Sequence, residues 1–230
     1  MLHIKQLHQY YGGSHILRGI DLQVHPGEIT VLLGRNGVGK TTLIKALMGL
    51  IEPRSGSVHL NGQSLLGLKS EQRVRLGLGY VPQGREIFNR LTVEENLRMG
   101  MAVRPSSESL SNELLNLFPV LKEMLHRRGG DLSGGQQQQL AIARALASKP
   151  KVLILDEPTE GIQPNIIKKI GEIIRQLAHE NGIAILLCEQ YYDFAESLAD
   201  HYVVMDRGEV VASGKGGSMR EENIRSLVSI

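Results

Sequence analysis

The chain has 230 residues, of which 41% are hydrophobic, and 26 Lys and Arg stand against 24 Asp and Glu. That length fits one large α/β domain with room for an inserted subdomain, and the apolar share supports a sizeable core, which excludes a disordered chain. A formal charge of +2 with no block of like charges does not fit a dedicated nucleic-acid binder, and the one cysteine, Cys188, excludes an internal disulfide and a cysteine-based zinc site.

The first residues, Met1-Leu2-His3-Ile4-Lys5, show no charged stretch followed by an apolar one. No export signal is therefore expected, and the protein should stay in the cytoplasm. Residues 2–31 read as short strands, with turns at Gly12-Gly13 and Pro26-Gly27. Residues 29–33 form a continuous apolar run, the pattern of a strand buried in a parallel sheet. A Gly-rich turn follows at 34–39, then a helix over 41–50 with Leu43, Leu47 and Leu50 on one face.

From 84 to 150 strand patterns are weak. Helical patterns at 93–101 and 111–125 flank a polar break at 103–110, so this stretch reads as an inserted, mostly helical subdomain. Residues 152–155 and 184–188 are further buried strands, separated by a helix over 164–180, which is the βαβ alternation of a parallel sheet. Residues 202–213 read as a closing hairpin with Arg207-Gly208 in the turn. The apolar runs all fall well short of the about 20 residues a spanning helix needs.

Three segments carry chemistry. Gly34-Arg35-Asn36-Gly37-Val38-Gly39-Lys40-Thr41 matches G-x-x-x-x-G-K-[ST] between a predicted strand and a predicted helix. Its glycines let backbone N–H groups curl round phosphate oxygens, and the helix N-terminus adds positive partial charge. Lys40 is placed to reach the β- and γ-phosphates of a nucleotide, and the Thr41 hydroxyl to bind Mg²⁺; Thr42 completes the set. In the second segment, 152–157, four apolar residues end in Asp156-Glu157 at the carboxyl edge of a strand, where ligands sit in open parallel sheets. Asp156 is a candidate Mg²⁺ ligand and Glu157 a candidate base for water. In the third, Ser133-Gly134-Gly135-Gln136 opens a helix and forms a second anion-binding helix start; an ordinary N-cap role explains Ser133 equally well.

The order and spacing of these three segments resemble the phosphate loop, signature sequence and acidic strand of ABC ATPases, over nearly the whole chain. The resemblance implies a RecA-like P-loop NTPase core (about 1–83 and 151–230) with an N-terminal antiparallel β layer and an inserted helical subdomain (about 84–150). It implies Tyr11 as the aromatic that stacks on adenine, with Tyr10 a rival, and Gln83 as a residue that touches Mg²⁺ and links to a membrane subunit. It implies a head-to-tail dimer with a second ABC ATPase, identical or different, in which ATP lies between the phosphate loop of one subunit and Ser133–Gln136 of the other. Transmembrane permease subunits are the further expected partners, at the cytoplasmic face of the inner membrane. Nucleic acid is not an expected partner, and the transported substrate should not touch this subunit.

Two positions depart from the family pattern. Gln163 stands where most members have Asp, and Gln190 stands where the family's switch histidine contacts the γ-phosphate. Glutamine can hydrogen-bond a phosphate but cannot carry a proton or charge. A Glu-Gln pair here resembles one ATPase of the importers of branched-chain amino acids and urea, and implies a slow site that leans on a different partner ATPase. Residues 79–88 and 157–164 resemble the urea branch most, with branched-chain amino acids the alternative. A soluble ABC ATPase acting on DNA or ribosomes is the reading from another class. The long coiled coil or second ATPase domain of such proteins is not present.

Overall fold

Strand pairing divides the backbone of the computed structural model, which describes residues 1–228, into two sheets. The first strands are long: β1 (Leu2–Tyr11) and β2 (Ser14–Val24) pair antiparallel through a tight turn at Gly12-Gly13. The sequence reading of short strands is corrected here, because β-bulges let the pair continue past each irregularity. Strands β4 (Ser55–Leu60) and β5 (Gln63–Ser64) complete this antiparallel layer in the order β2-β1-β4-β5.

The second sheet has the order β10-β9-β3-β8-β7-β6. Its members are β3 (Ile29–Leu33), β6 (Leu78–Val81), β7 (Val152–Asp156), β8 (Ala184–Glu189), β9 (His201–Asp206) and β10 (Glu209–Lys215). Five strands run parallel, and β10 returns antiparallel as the hairpin partner of β9. β3, β7 and β8 are buried along their whole length. Alternate residues therefore feed two cores, one on each face. Ile29, Leu153 and Ile185 point into one core, and Leu32, Ile154 and Leu186 into the other.

The second of these cores is closed by α1 (Lys40–Met48) and the antiparallel layer. Helix α1 stops at Gly49, which takes φ 72°, a conformation glycine adopts without a Cβ penalty. Leu50, expected on the apolar face, lies beyond this stop and is 58% exposed. Arg73, on the short helix α2 (Ser70–Arg75), is fully buried and donates to the carbonyls of Ala46 (2.6 Å) and Leu47 (2.8 Å). A cation at the carboxyl end of α1 satisfies orphan carbonyls and opposes the helix dipole.

The other face carries the remaining helices. Helix α3 (Val93–Gly100) starts at a Thr92/Glu95 capping box and α6 (Gly134–Leu146) at a Ser133/Gln136 one. The helix expected over 111–125 is two pieces, α4 (Asn112–Leu117) and α5 (Pro119–Lys122). Phe118, ahead of Pro119, sits at φ −129°, ψ 68°, because proline crowds a helical residue before it. The helix expected over 164–180 is α7 (Pro164–Arg175) followed by a π-helical turn, Gln176–Glu180. Helix α8 (Tyr192–Leu198) follows β8, and α9 (Ile224–Val228) closes the described chain. One uninterrupted apolar cluster joins Val93, Leu97, Phe118 and Leu140 to Leu153 and Leu187 of the sheet. No helix among the described residues is long and apolar enough to cross a membrane.

Candidate functional site

The parallel strands deliver their functional residues to one edge. β3 leads directly into the phosphate loop, β7 ends at Asp156, β8 ends at Glu189, and Gln83 lies just past β6. Register places Asp156 beside Cys188 and Leu33 beside Glu189, so the loop and both carboxylate-bearing ends are adjacent. In the loop, Gly34 and Gly39 adopt φ 158° and 115°. A Cβ at Gly34 would stand 2.6 Å from the Met205 carbonyl oxygen, and one at Gly39 3.1 Å from Leu17. Only glycine fits this curl against β9 and β2. Arg35, Asn36 and Gly37 are exposed, whereas Val38 and Gly39 are buried against the core.

Lys40 is 5% exposed, and its ammonium lies inside the loop. Nζ donates to the carbonyls of Gly34 (2.6 Å) and Arg35 (3.2 Å) and stands 3.5 Å from Glu157 Oε1. Phosphate oxygens are anionic acceptors and compete well for these donors. Thr41 is exposed and Thr42 half-buried at the same helix start.

Glu157 holds a left-handed backbone, φ 47°, fixed by its N–H donating 2.9 Å to the Cys188 carbonyl. Such strain in a non-glycine residue needs surrounding support and clusters at functional sites. The Gln83 amide nitrogen donates to Glu157 (3.2 Å) and to Glu160 (3.0 Å), which turns its amide oxygen into the atom available to a cation. Glu160 was not singled out by the sequence reading. Its only signal there is its position three residues after Glu157, one turn on.

Asp156 is 2% exposed. The Tyr80 hydroxyl hydrogen-bonds to it, while Oδ2 has no hydrogen-bond partner among the described residues. Burial, then the Glu157 charge, push its pKa up to about 6, and Lys40 opposes them. A buried carboxylate with an orphan oxygen, the Thr41 hydroxyl and the Gln83 amide oxygen are all hard oxygen donors, a set that fits a divalent cation such as Mg²⁺.

This raised value has a consequence for the nucleotide-free protein. The folded form binds a proton more tightly than the unfolded chain, whose Asp value is 3.8, so stability falls as pH rises from about 4 through about 6. Asp156→Asn is neutral at every pH and keeps an acceptor for Tyr80. It is expected to raise the melting temperature at pH 7.5 by about 2–8 °C, from roughly 1–2 kcal/mol after solvent screening, while ATP hydrolysis is lost. Thermal unfolding of both proteins in the absence of metal checks this. A lower melting temperature in the variant would show that the charge is stabilised, not strained.

Glu189 enters the sequence reading only as half of the Glu-Gln pair, with no role of its own. Buried at the end of β8, it accepts from Thr159 Oγ1 (2.7 Å) and from the N–H groups of Thr159, Gln190 and Tyr191. Burial raises its pKa against the pull of these hydrogen bonds. One carboxylate thus ties the turn after Glu157 to the turn that presents Gln190, whose side chain is exposed. A carboxylate ending an otherwise apolar strand was the available signal.

The remaining candidates form separate groups. Ser133 Oγ accepts from Gln136 N (3.4 Å), and Gln136 Oε1 accepts from Ser133 N (2.9 Å), so within one chain Ser133 acts as an N-cap. Gly134 and Gly135 pack against Arg85 and Ile166. The start of α6 therefore belongs to a different cluster from the one around Lys40. Tyr10 is stacked on His15 at 4.1 Å between ring centroids, whereas Tyr11 is 46% exposed at the tip of the β1–β2 hairpin. The same hairpin reaches the phosphate loop through Leu17.

Comparison with known proteins identifies the family of the chain. The model of the ABC transporter family matches residues 17–160. The high-affinity branched-chain amino acid transport ATP-binding protein BraG of Pseudomonas aeruginosa is 43% identical over 221 residues, covering 95% of this chain and 94% of that protein. The probable branched-chain amino acid transport ATP-binding protein LivF of Archaeoglobus fulgidus is 37% identical, covering 96% and 94%. Among solved structures, an ATP-binding subunit of an ABC transporter superposes with a TM-score of 0.85 at 30% identity, covering 100% of this chain and 95% of that one.

Proposed function

The chain belongs to the ABC transporter ATP-binding family and is an ATPase, and from that premise we propose that it is a motor subunit of an importer of branched-chain amino acids. The observation that carries the substrate is the 43% identity to BraG across 95% of the chain. The residues at 79–88 and 157–164 favoured urea when read alone, and these relatives support the second reading, branched-chain amino acids, better than the first.

In the mechanism, the N–H groups of residues 34–42 and the Lys40 ammonium bind the phosphates, and Tyr11 stacks on adenine. Thr41, Gln83 and Asp156 would hold Mg²⁺, which neutralises phosphate charge when bound. Glu157, kept in place by its strained backbone and by Gln83, accepts the proton of the attacking water. Gln190 donates its amide to the γ-phosphate and, having no charge to offer, stabilises the transferring group less than an imidazolium does. The two anion-binding helix starts of one chain serve two different nucleotides: α1 its own, and Ser133–Gln136 that of a facing ATPase subunit. An open cleft of about 460 Å³ lined by Met48, Val74, Tyr80, Phe88, Met99 and Val103 offers a seat for a cytoplasmic segment of the permease, at the inner face of the membrane. Phe88 is 44% exposed there.

The test is transport. The complex purified through a tag on this chain and reconstituted in liposomes with its binding protein should accumulate labelled leucine when ATP is supplied. Accumulation of urea and not leucine would overturn the substrate. Co-purification of ribosomes or DNA in place of membrane subunits would overturn the importer.

A further inference from the structure

We propose that Arg85 is a positioning residue that holds the start of α6 in register with the Gln83 turn and with the turn after Glu157. The proposal rests on the reading of Ser133–Gln136 as the contact to a facing subunit's nucleotide.

Arg85 and Glu86 occupy consecutive left-handed conformations, φ 71° and 46°. Neither is glycine, so the backbone here is strained and has to be held. Backbone bonds within the turn, Arg85 N to the Pro82 carbonyl (3.2 Å) and Glu86 N to the Gly84 carbonyl (2.8 Å), close it locally. The side chain then leaves the turn and reaches two other segments. Nη1 donates to Gln137 Oε1 on α6 at 3.3 Å. The guanidinium stands against Gly134, where a Cβ would lie 3.1 Å from Nη1 and 3.3 Å from Nη2. Nη2 also comes to 3.7 Å from the position a Cβ would take on Gly161, in the turn that follows Glu157. One planar group therefore bonds to α6 and borders the turn after Glu157, which a point-charge ammonium on a flexible stem does not reproduce.

The other end of the same residue is tied to the cleft. Arg144 of α6 donates to the Arg85 carbonyl at 3.4 Å and stands 5.1 Å over the Phe88 ring. Burial lowers the Arg144 pKa, and the partners it keeps are these two and the Glu86 charge. A displacement of Phe88 by a docking segment is thus passed through Arg144 to the Arg85 backbone, and through its guanidinium to Gly134 and Gly161.

The experiment compares Arg85→Ala and Arg85→Lys with the parent protein. Two quantities are read: ATP turnover of the complete transporter, and binding of a non-hydrolysable ATP analogue to the isolated chain. Arg85→Ala should lower kcat at least tenfold and leave analogue binding within about twofold, because the phosphate loop is untouched. Arg85→Lys should recover less than half of the lost rate. Unchanged turnover in Arg85→Ala overturns the proposal. Loss of analogue binding in parallel with turnover also overturns it, since it places Arg85 in the chain's own pocket or fold. Full rescue by lysine overturns it too, by showing that charge alone matters. Ser133→Arg, which fills the start of α6, serves as the control in the same transporter. If it hydrolyses ATP at the parent rate, the reading of Ser133–Gln136 has failed, and not only that of Arg85.

Discussion

Glu157→Gln is expected to reduce ATP turnover by about 10²–10⁴-fold, the usual contribution of a positioned base. The substitution keeps the shape of the side chain and an oxygen that accepts the Gln83 amide, now at 3.2 Å. It removes the proton acceptor and the partner of Lys40 at 3.5 Å. It also removes the nearest like charge that holds the Asp156 value up, so the Asp156 carboxylate becomes easier to ionise and a better cation ligand. Binding of ATP with Mg²⁺ should therefore be kept or tightened while hydrolysis stops. A nucleotide-clamped pair of subunits then has no route to reopen and accumulates. Steady-state phosphate release by the complete ATPase pair, with the partner's own catalytic site disabled, and size-exclusion chromatography of that pair with ATP and Mg²⁺ measure both effects. Hydrolysis at the parent rate would refute the role of Glu157.

The second large effect is expected at Lys40. Its ammonium is buried, bonded to two loop carbonyls and next to Glu157, so the loop is already shaped round a cation. Lys40→Ala removes the charge-assisted bonds to phosphate, each worth roughly 1.5–3 kcal/mol. ATP affinity should fall by about 10–100-fold and turnover by about 10²-fold or more. Burying an alanine costs no desolvation of charge, which offsets the carbonyls left without a donor. The melting temperature without nucleotide should accordingly move by no more than about 4 °C. Isothermal titration with ATP and thermal unfolding separate the two contributions. Unchanged ATP affinity would remove Lys40 from the site.

What the sequence determined by itself is local. The phosphate loop was legible because its glycine spacing and its strand and helix flanks lie within one short window, and the backbone conformations confirm the need for glycine at Gly34 and Gly39. The buried strands β3, β7 and β8 were legible because a sheet covered on both faces leaves no polar alternation. Helix ends were less legible. Leu50 carries the right hydrophobicity for α1, but Gly49 in a left-handed conformation stops the helix first. Pro119 was visible in the sequence, and its effect is on Phe118, the residue before it.

What only the tertiary structure decided is which distant residues meet. Asp156, Glu157 and Glu189 come together because β7 and β8 pair in parallel register, and no property of either strand alone fixes that register at its carboxyl edge. The Glu189 bonds to Thr159 and Gln190 arise the same way, from two strand ends brought side by side. Gln83 reaches Glu160 across 77 positions, and Arg85 reaches Gln137 across 52. Local pattern reports which face of an element is buried. The choice between Tyr10 and Tyr11, the orphan oxygen of Asp156 and the span of Arg85 depend on what the fold places opposite each of them.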